Sequence, residues 1–324
     1  MASLTSQRTS GYKPFLFAFC VFALCWITAL LYAGGFTTSI KAGMAFLDWP
    51  LSNGSVNPDG WLTESDKLAE HSHRLLGMKI GLLSIGLLIW TWLREERPQV
   101  RTLARVLLLI VVLQGVLGGA RVRFDQLNIL SDHNLIAQSF AVAHACGAQI
   151  VLALLVALTI SSSRLWIEKQ GGLIAAVPKS IKKWSLIACV SIFLQILVGA
   201  IMRHADAGLA IAKFPLAQDG SLLPAYWNFD VGVHFAHRVG AVGVLIALCI
   251  LLGKVWAHQS TRKALRGIAI FISLLLVVQI YLGALTIWTV KNPYVATAHA
   301  LIGAFLLAST WALTLLAHRP IKIE

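Results

Sequence analysis

Eight apolar stretches, each long enough to cross a bilayer as a helix, dominate this 324-residue chain. A hydrocarbon core takes about 20 helical residues, and on that rule the spans fall near 14–35, 71–93, 103–121, 135–160, 184–203, 234–257, 267–289 and 295–317. Charged residues make up 13% of the chain and apolar residues 57%, against about 25% charged in soluble domains. The expected fold class is all-α: a polytopic membrane protein whose core is made by bundling helices in lipid. The stretch Phe15 to Ala33 exceeds the hydrophobic region of a signal peptide and reads as a retained first helix.

The net charge of +13 belongs to loops meeting anionic lipid, not to nucleic-acid binding, because no basic and aromatic surface is left once the helices are assigned. Most of the 27 Lys and Arg sit in the N-terminus, the loops 94–105, 161–183 and 254–266, and the tail after His318. The opposite loops hold only Lys41, Lys67, Arg123, Lys213 and Lys291. The positive-inside rule then places both termini in the cytoplasm. The long outer loops 36–70 and 204–233 carry Trp49, Trp61, Tyr226 and Trp227, suited to a membrane–water boundary. No long arginine-rich presequence precedes the first helix, which favours a bacterial inner membrane. Five cysteines, Cys20, Cys25, Cys146, Cys189 and Cys249, all fall within predicted helices and read as packing residues.

The chain repeats itself. Gly34 matches Gly199, Trp49-Pro50-Leu51 matches Phe214-Pro215-Leu216, and Gln114 and Gly118 match Gln279 and Gly283, all at an offset of 165. His73 matches His237 at 164, and His144 matches His299 at 155, after a longer loop in the first half. Four helices per repeat keep both repeats in one orientation, so the expectation is two parallel four-helix bundles, residues 1–170 and 171–324.

Within each repeat one histidine is expected at the outer start of the second helix and another about ten residues into the fourth. Ionisable groups inside a bilayer are expensive and tend to mark function. Two imidazoles from facing helices can bind one haem iron from both sides. Zinc or copper would require further Cys, His or carboxylate ligands at short spacing. A lone membrane histidine is often only an interhelical hydrogen-bond partner, but four at repeat-related positions favour ligation. His71, His133 and His204 are expected to be solvated, at helix edges or in loops. Arg74 and Arg238 follow the ligand candidates and present planar forks to carboxylates such as haem propionates; Arg121 and Arg123 rank behind them. One position breaks the repeat. Glu70 precedes His73 by three residues, and His234 precedes His237 by three. This spacing shares a helical face, so only the first half sets a carboxylate beside its histidine, where it can take protons or stabilise a developing cation.

These residues resemble the haem A synthase family: Gly34-Gly35-Phe36-Thr37 with Trp49-Pro50-Leu51, Glu70-x-x-His73-Arg74, His144, His234-x-x-His237-Arg238 and His299. The likeness runs over nearly the whole chain. It implies an oxidoreductase that converts a methyl group of haem O to a formyl group by successive hydroxylation and loss of water, giving haem A for cytochrome oxidase. It further implies a substrate site in the first half, with His73, His144 and the essential carboxylate Glu70, and a haem b cofactor on His237 and His299 in the second. Haem O synthase and an electron acceptor are the partners it suggests, with oligomerisation left open. Two departures stand out. The loop 36–70 has no cysteine pair, and Thr37-Thr38-Ser39-Ile40-Lys41 lacks the arginine often found after the glycines. The alternative is a cytochrome b-type electron carrier using the same four histidines; formyl-haem appears only if the chain is an enzyme.

Overall fold

A computed structural model describes residues 11–125, 135–167, 177–217, 220–258 and 263–319. Eight helices are long and apolar enough to cross a membrane: α1 (Pro14–Ser39), α2 (Ser65–Arg94), α3 (Pro98–Asp125), α4 (Leu135–Ser162), α6 (Lys179–His204), α7 (Phe229–Ala257), α8 (Lys263–Trp288) and α9 (Pro293–His318). A short helix, α5 (Arg164–Ile167), follows α4. No strand occurs among the described residues. The expected division at 170/171 and the expected solvated His133 lie outside them.

Every helix is longer than its apolar run, because hydropathy measures lipid contact whereas helices continue until their end groups find other partners. Asn228 caps α7 by accepting from Val231 N at 2.8 Å, and Asn292 caps α9 by accepting from Tyr294 N at 3.0 Å. The polar turn Ser65–Glu70 belongs to α2 rather than to the loop before it. His73 and His237 are therefore two turns inside their helices, not at the mouths. At 1.5 Å per residue, all four histidines lie about 9–14 Å from the starts of their helices.

Helix neighbours close two rings: α1 packs on α2 and α4, and α3 on α2 and α4; α6 packs on α7 and α9, and α8 on α7 and α9. The rings meet along a seam where α4 touches α6 and α9, and α1 touches α9. Each ring has its own apolar core. Leu16, Leu87, Leu107, Leu152 and Leu155 fill one, and Ile181, Leu248, Leu251, Leu265 and Leu313 the other. Both cores lie toward the face where α1 begins and α9 ends, the terminal face. Toward the opposite, long-loop face, many buried side chains are small, such as Ala137, Ala141, Ala200 and Ala284. The histidines lie in that half. All five cysteines are free.

The terminal face holds a built ion cluster. Glu95, just beyond α2, has a fully buried side chain. Its oxygens take a two-point grip from Arg97, at 2.9 Å from Nε and 3.0 Å from Nη2. Arg97 Nη1 donates to Ser161 O at the end of α4, 2.7 Å away, and Lys13 Nζ stands 3.7 Å from the carboxylate. Burial alone would push the Glu95 carboxyl up, but the hydrogen bonds from Arg97 and the charges of Arg97 and Lys13 outweigh it and bring it down to about 2. A group depressed in the folded state stabilises above its unfolded value and loses that contribution as pH falls through its folded value. Thermal unfolding in detergent should therefore show a loss of stability between about pH 4.5 and about pH 2. Glu95→Gln should lower the melting temperature at neutral pH and flatten that acid limb.

Candidate functional site

Each of the four histidines rests on a glycine of the neighbouring helix. His73 of α2 lies on Gly34 of α1, His144 of α4 on Gly118 of α3, His237 of α7 on Gly199 of α6, and His299 of α9 on Gly283 of α8. A Cβ on those glycines would stand 2.6, 3.3, 2.9 and 3.1 Å, respectively, from Cε1 of the ring. At Gly34 and Gly199 that distance is below any ordinary contact, so the bare backbone is what admits the imidazole.

One helical turn before each glycine comes a second shared contact. The backbones of Leu30, Gln114 and Gln279 stand beside His73, His144 and His299. Nδ1 of these three rings is buried without a settled hydrogen bond. At His237 the side chain of Gln195 takes the place of that carbonyl, touching Nδ1 at 3.0 Å and donating to His237 O at 2.7 Å.

The rings converge in pairs. His73 and His144 have centroids 6.4 Å apart, and so do His237 and His299. With a metal–nitrogen bond of about 2 Å, and ring nitrogens about 1 Å from their centroids, two imidazoles sharing one metal ion on opposite sides would stand ~6 Å apart. Both pairs fit a group ligated from two sides. The glycine cradles, the unsatisfied Nδ1 atoms and the small buried side chains nearby fit a flat macrocycle between the rings.

Over the first pair folds the loop 40–64. Asp48 holds its tip by accepting from Asn53 N and Gly54 N, both at 2.7 Å, at residues with φ of 51° and 71°. Burial acts to raise the Asp48 carboxyl, but those amides and the Arg74 charge win and hold it below the usual range. The Trp49 ring lies on the backbone of Gly119. Arg74 binds this loop through its carbonyls: Nη1 donates to Asp48 O at 2.7 Å and Leu51 O at 2.5 Å, and Nη2 to Phe46 O at 3.1 Å. Its Nε also donates to Glu70 Oε1 at 3.1 Å. Glu70 is 4% exposed, and its Oε2 accepts from Phe46 N at 3.0 Å.

The second loop is held the same way. Arg238 Nη2 donates to Ile211 O at 2.9 Å and Lys213 O at 2.5 Å, and Nη1 reaches Pro215 O at 3.4 Å. Nδ1 of His234 accepts from Ile211 N at 3.3 Å. Ile211 is Phe46 shifted by 165, so Glu70 and His234 hold equivalent amides. Trp49-Pro50 and Phe214-Pro215 are both cis. Arg74 and Arg238 thus turn their forks to loop carbonyls, a role that adjacency to the histidines did not reveal.

Two of the histidines expected at solvated positions lie among the described residues. His71 is buried, 3% exposed, with Nδ1 3.0 Å from Ser52 Oγ and the Trp61 ring 4.7 Å away by its edge. The folded loop covers it, which hydropathy does not register. His204 ends α6 and is half-buried, because the helix continues one residue past the expected span 184–203 and keeps this residue within it. Arg121 stands against Gly43 of the first loop, and Arg123 is exposed. Arg203, not singled out from the sequence, donates from Nη2 to Gly35 O at 2.5 Å and Ser39 Oγ at 2.6 Å across the seam.

Comparison with known proteins places the chain in a family. The pattern of the COX15-CtaA family, described as cytochrome oxidase assembly protein, matches residues 17–311. The chain is 27% identical over 298 residues to a protein of Alkalihalophilus pseudofirmus named Heme A synthase, covering 91% of this chain and 94% of that one. It is 28% identical over 292 residues to the Heme A synthase of Halalkalibacterium halodurans, covering 90% and 93%. It is 29% identical over 303 residues to that of Geobacillus kaustophilus, covering 90% of each. A match extending through all eight membrane-length helices and both histidine pairs means that the chain belongs to the COX15-CtaA family of cytochrome oxidase assembly proteins.

Proposed function

We propose that this protein is a haem A synthase, a membrane oxidoreductase that converts a methyl group of haem O to the formyl group of haem A. The observation that carries the reading is the equal spacing of two half-buried histidine pairs, each ring on a glycine of the neighbouring helix. His73 and His144 would hold haem O as substrate. His237 and His299 would hold haem b, which when bound supplies one-electron redox chemistry. The protein would sit in a bacterial inner membrane, and the positive charge of the terminal face supports both termini being cytoplasmic. Oxidation of the substrate requires an electron acceptor, and supply of haem O requires a synthase upstream.

The division between substrate and cofactor sites rests on Glu70. Both halves share the scaffold: an arginine on loop carbonyls and an acceptor for the loop amide at 46 or 211. Only in the first half is that acceptor a carboxylate. Arg74 and the Phe46 amide hold it on the α2 face that also presents His73. From there Glu70 can offset positive charge developing at the methyl carbon and accept a proton from the attacking water. The folded loop 40–64 limits access of bulk water to that face.

Three outcomes are expected. Replacing His237 or His299 by Ala should remove a haem b signal from the Soret spectrum of the purified protein, and His73→Ala should abolish uptake of added haem O while leaving that signal. Glu70→Gln keeps an acceptor for Phe46 N, so it should retain haem binding while formyl product, followed by pyridine haemochrome spectra, falls by roughly 100-fold or more; undiminished product would remove Glu70 from the chemistry. Gly34→Ala puts a methyl against the His73 ring, and should lower haem O uptake at least tenfold with the haem b spectrum unchanged.

A further inference from the structure

The two adjacent glycines of α1 face different ways. Gly34 receives the His73 ring, whereas Gly35 meets Thr297 of α9, whose Cγ2 would stand 3.3 Å from a Cβ placed there. Gly34 thus serves its own ring of helices and Gly35 the seam. Two glycines in a row also loosen a helix, since each has more backbone freedom to lose than any other residue. His73 therefore rests on a weak stretch of α1.

A side chain from the other half braces that stretch. Arg203, at the end of α6, donates from Nη2 to Gly35 O at 2.5 Å and to Ser39 Oγ at 2.6 Å. Among the described residues no carboxylate pairs with it. Thr297 Oγ1 donates to Pro293 O at 2.7 Å, so it accepts from Ser39 Oγ, 2.9 Å away. Arg203, Ser39 and Thr297 form one line of hydrogen bonds from α6 through α1 to α9. Both ends of the line adjoin the second histidine pair. Arg203 lies one turn past Gly199, on which His237 rests, and Thr297 lies two residues before His299.

The repeat contains this line once. Shifted by 165, Gly35 corresponds to Ala200, Ser39 to His204 and Thr38 to Arg203; shifted by 155, Val142 corresponds to Thr297. Thr38 bonds within its own helix, to Gly34 O at 3.0 Å. The half with the double glycine is thus the half that receives the brace.

We propose that Arg203, supplied by the second half, is a positioning residue for the first site. It fixes the glycine pair of α1 and with it the setting of the His73 ring, and Ser39 and Thr297 tie that setting to the second histidine pair. This rests on the reading that His73 and His144 hold haem O.

The test titrates haem O into the full-length apoprotein in detergent on a His237→Ala background, so that the first site alone is read. Affinity is followed by absorption, and the low-spin signature of two axial histidines by electron paramagnetic resonance. Arg203→Gln should weaken haem O binding about tenfold and shift that signature, although the substituted residue lies in the other half. Arg203→Lys keeps a cation for one of the two acceptors and should restore part of the binding. Lys41→Ala is the control: it breaks the Lys41–Asp206 pair on the same face and should change neither affinity nor signature. An affinity and signature untouched by Arg203→Gln would overturn the proposal. So would an equal loss in Lys41→Ala, or an equal loss of haem b from the second site on a His73→Ala background, since either marks a general weakening of the seam. If the first site takes up no haem O while Arg203 is intact, the haem reading of the pair fails and the proposal falls with it, an outcome distinct from the others.

Discussion

Contact between an imidazole and a helix backbone stripped of its Cβ is the interaction on which the rest of this structure depends. A ring projecting from a membrane helix must otherwise displace side chains of its neighbour or turn toward lipid. Glycine at 34, 118, 199 and 283 removes that choice by letting each ring lie on the adjacent helix. Its partner imidazole then arrives at the same separation in both halves. Small residues at membrane interfaces usually serve close helix approach. Here they make room for an imidazole between helices.

The internal repeat works as a built-in comparison, because what both halves share can be assigned to architecture. Arg74 and Arg238 hold equivalent loop carbonyls, and Glu70 and His234 accept equivalent loop amides. Glu70 therefore combines two features that a single half would have confused. Its position comes from the loop anchor that His234 also provides, and its charge is peculiar to the first half. The same comparison separates His71, covered by Trp61 and bonded to Ser52, from Phe235, which holds the corresponding place against Trp227.

Charge placement follows the cost of ions in a low-dielectric slab. Glu95 is buried but gripped by Arg97 and attended by Lys13, so this carboxylate on the terminal face is paired. On the long-loop face Asp206 is held between Lys41 and Lys291, which follow helices of different rings. Arg203 departs from this rule, since it reaches across the seam to neutral acceptors alone.

The eight helices, the repeat and the four histidines were legible in the sequence because each leaves a signal along the chain: an apolar run of fixed length, an offset of 165, a rare ionisable residue in an apolar setting. Helix ends were not, since α2 begins at Ser65 through backbone bonding that hydropathy does not register. Nor was the work of Arg74 and Arg238. An arginine beside a ligand candidate reads as a carboxylate receptor, and only the folded loops supply the carbonyls that occupy it. Arg203 carried a faint signal, standing where the repeat places Thr38, the segment already noted for lacking an arginine. Its meaning depended on which helices face each other across the seam. Sequence by itself determined how many membrane-length helices the chain holds and where its histidines and glycines fall within them, because both are properties of residue type and spacing. Tertiary structure alone decided which partner each charged group finds, because those partners are backbone atoms brought close only when the loops fold over the helix ends.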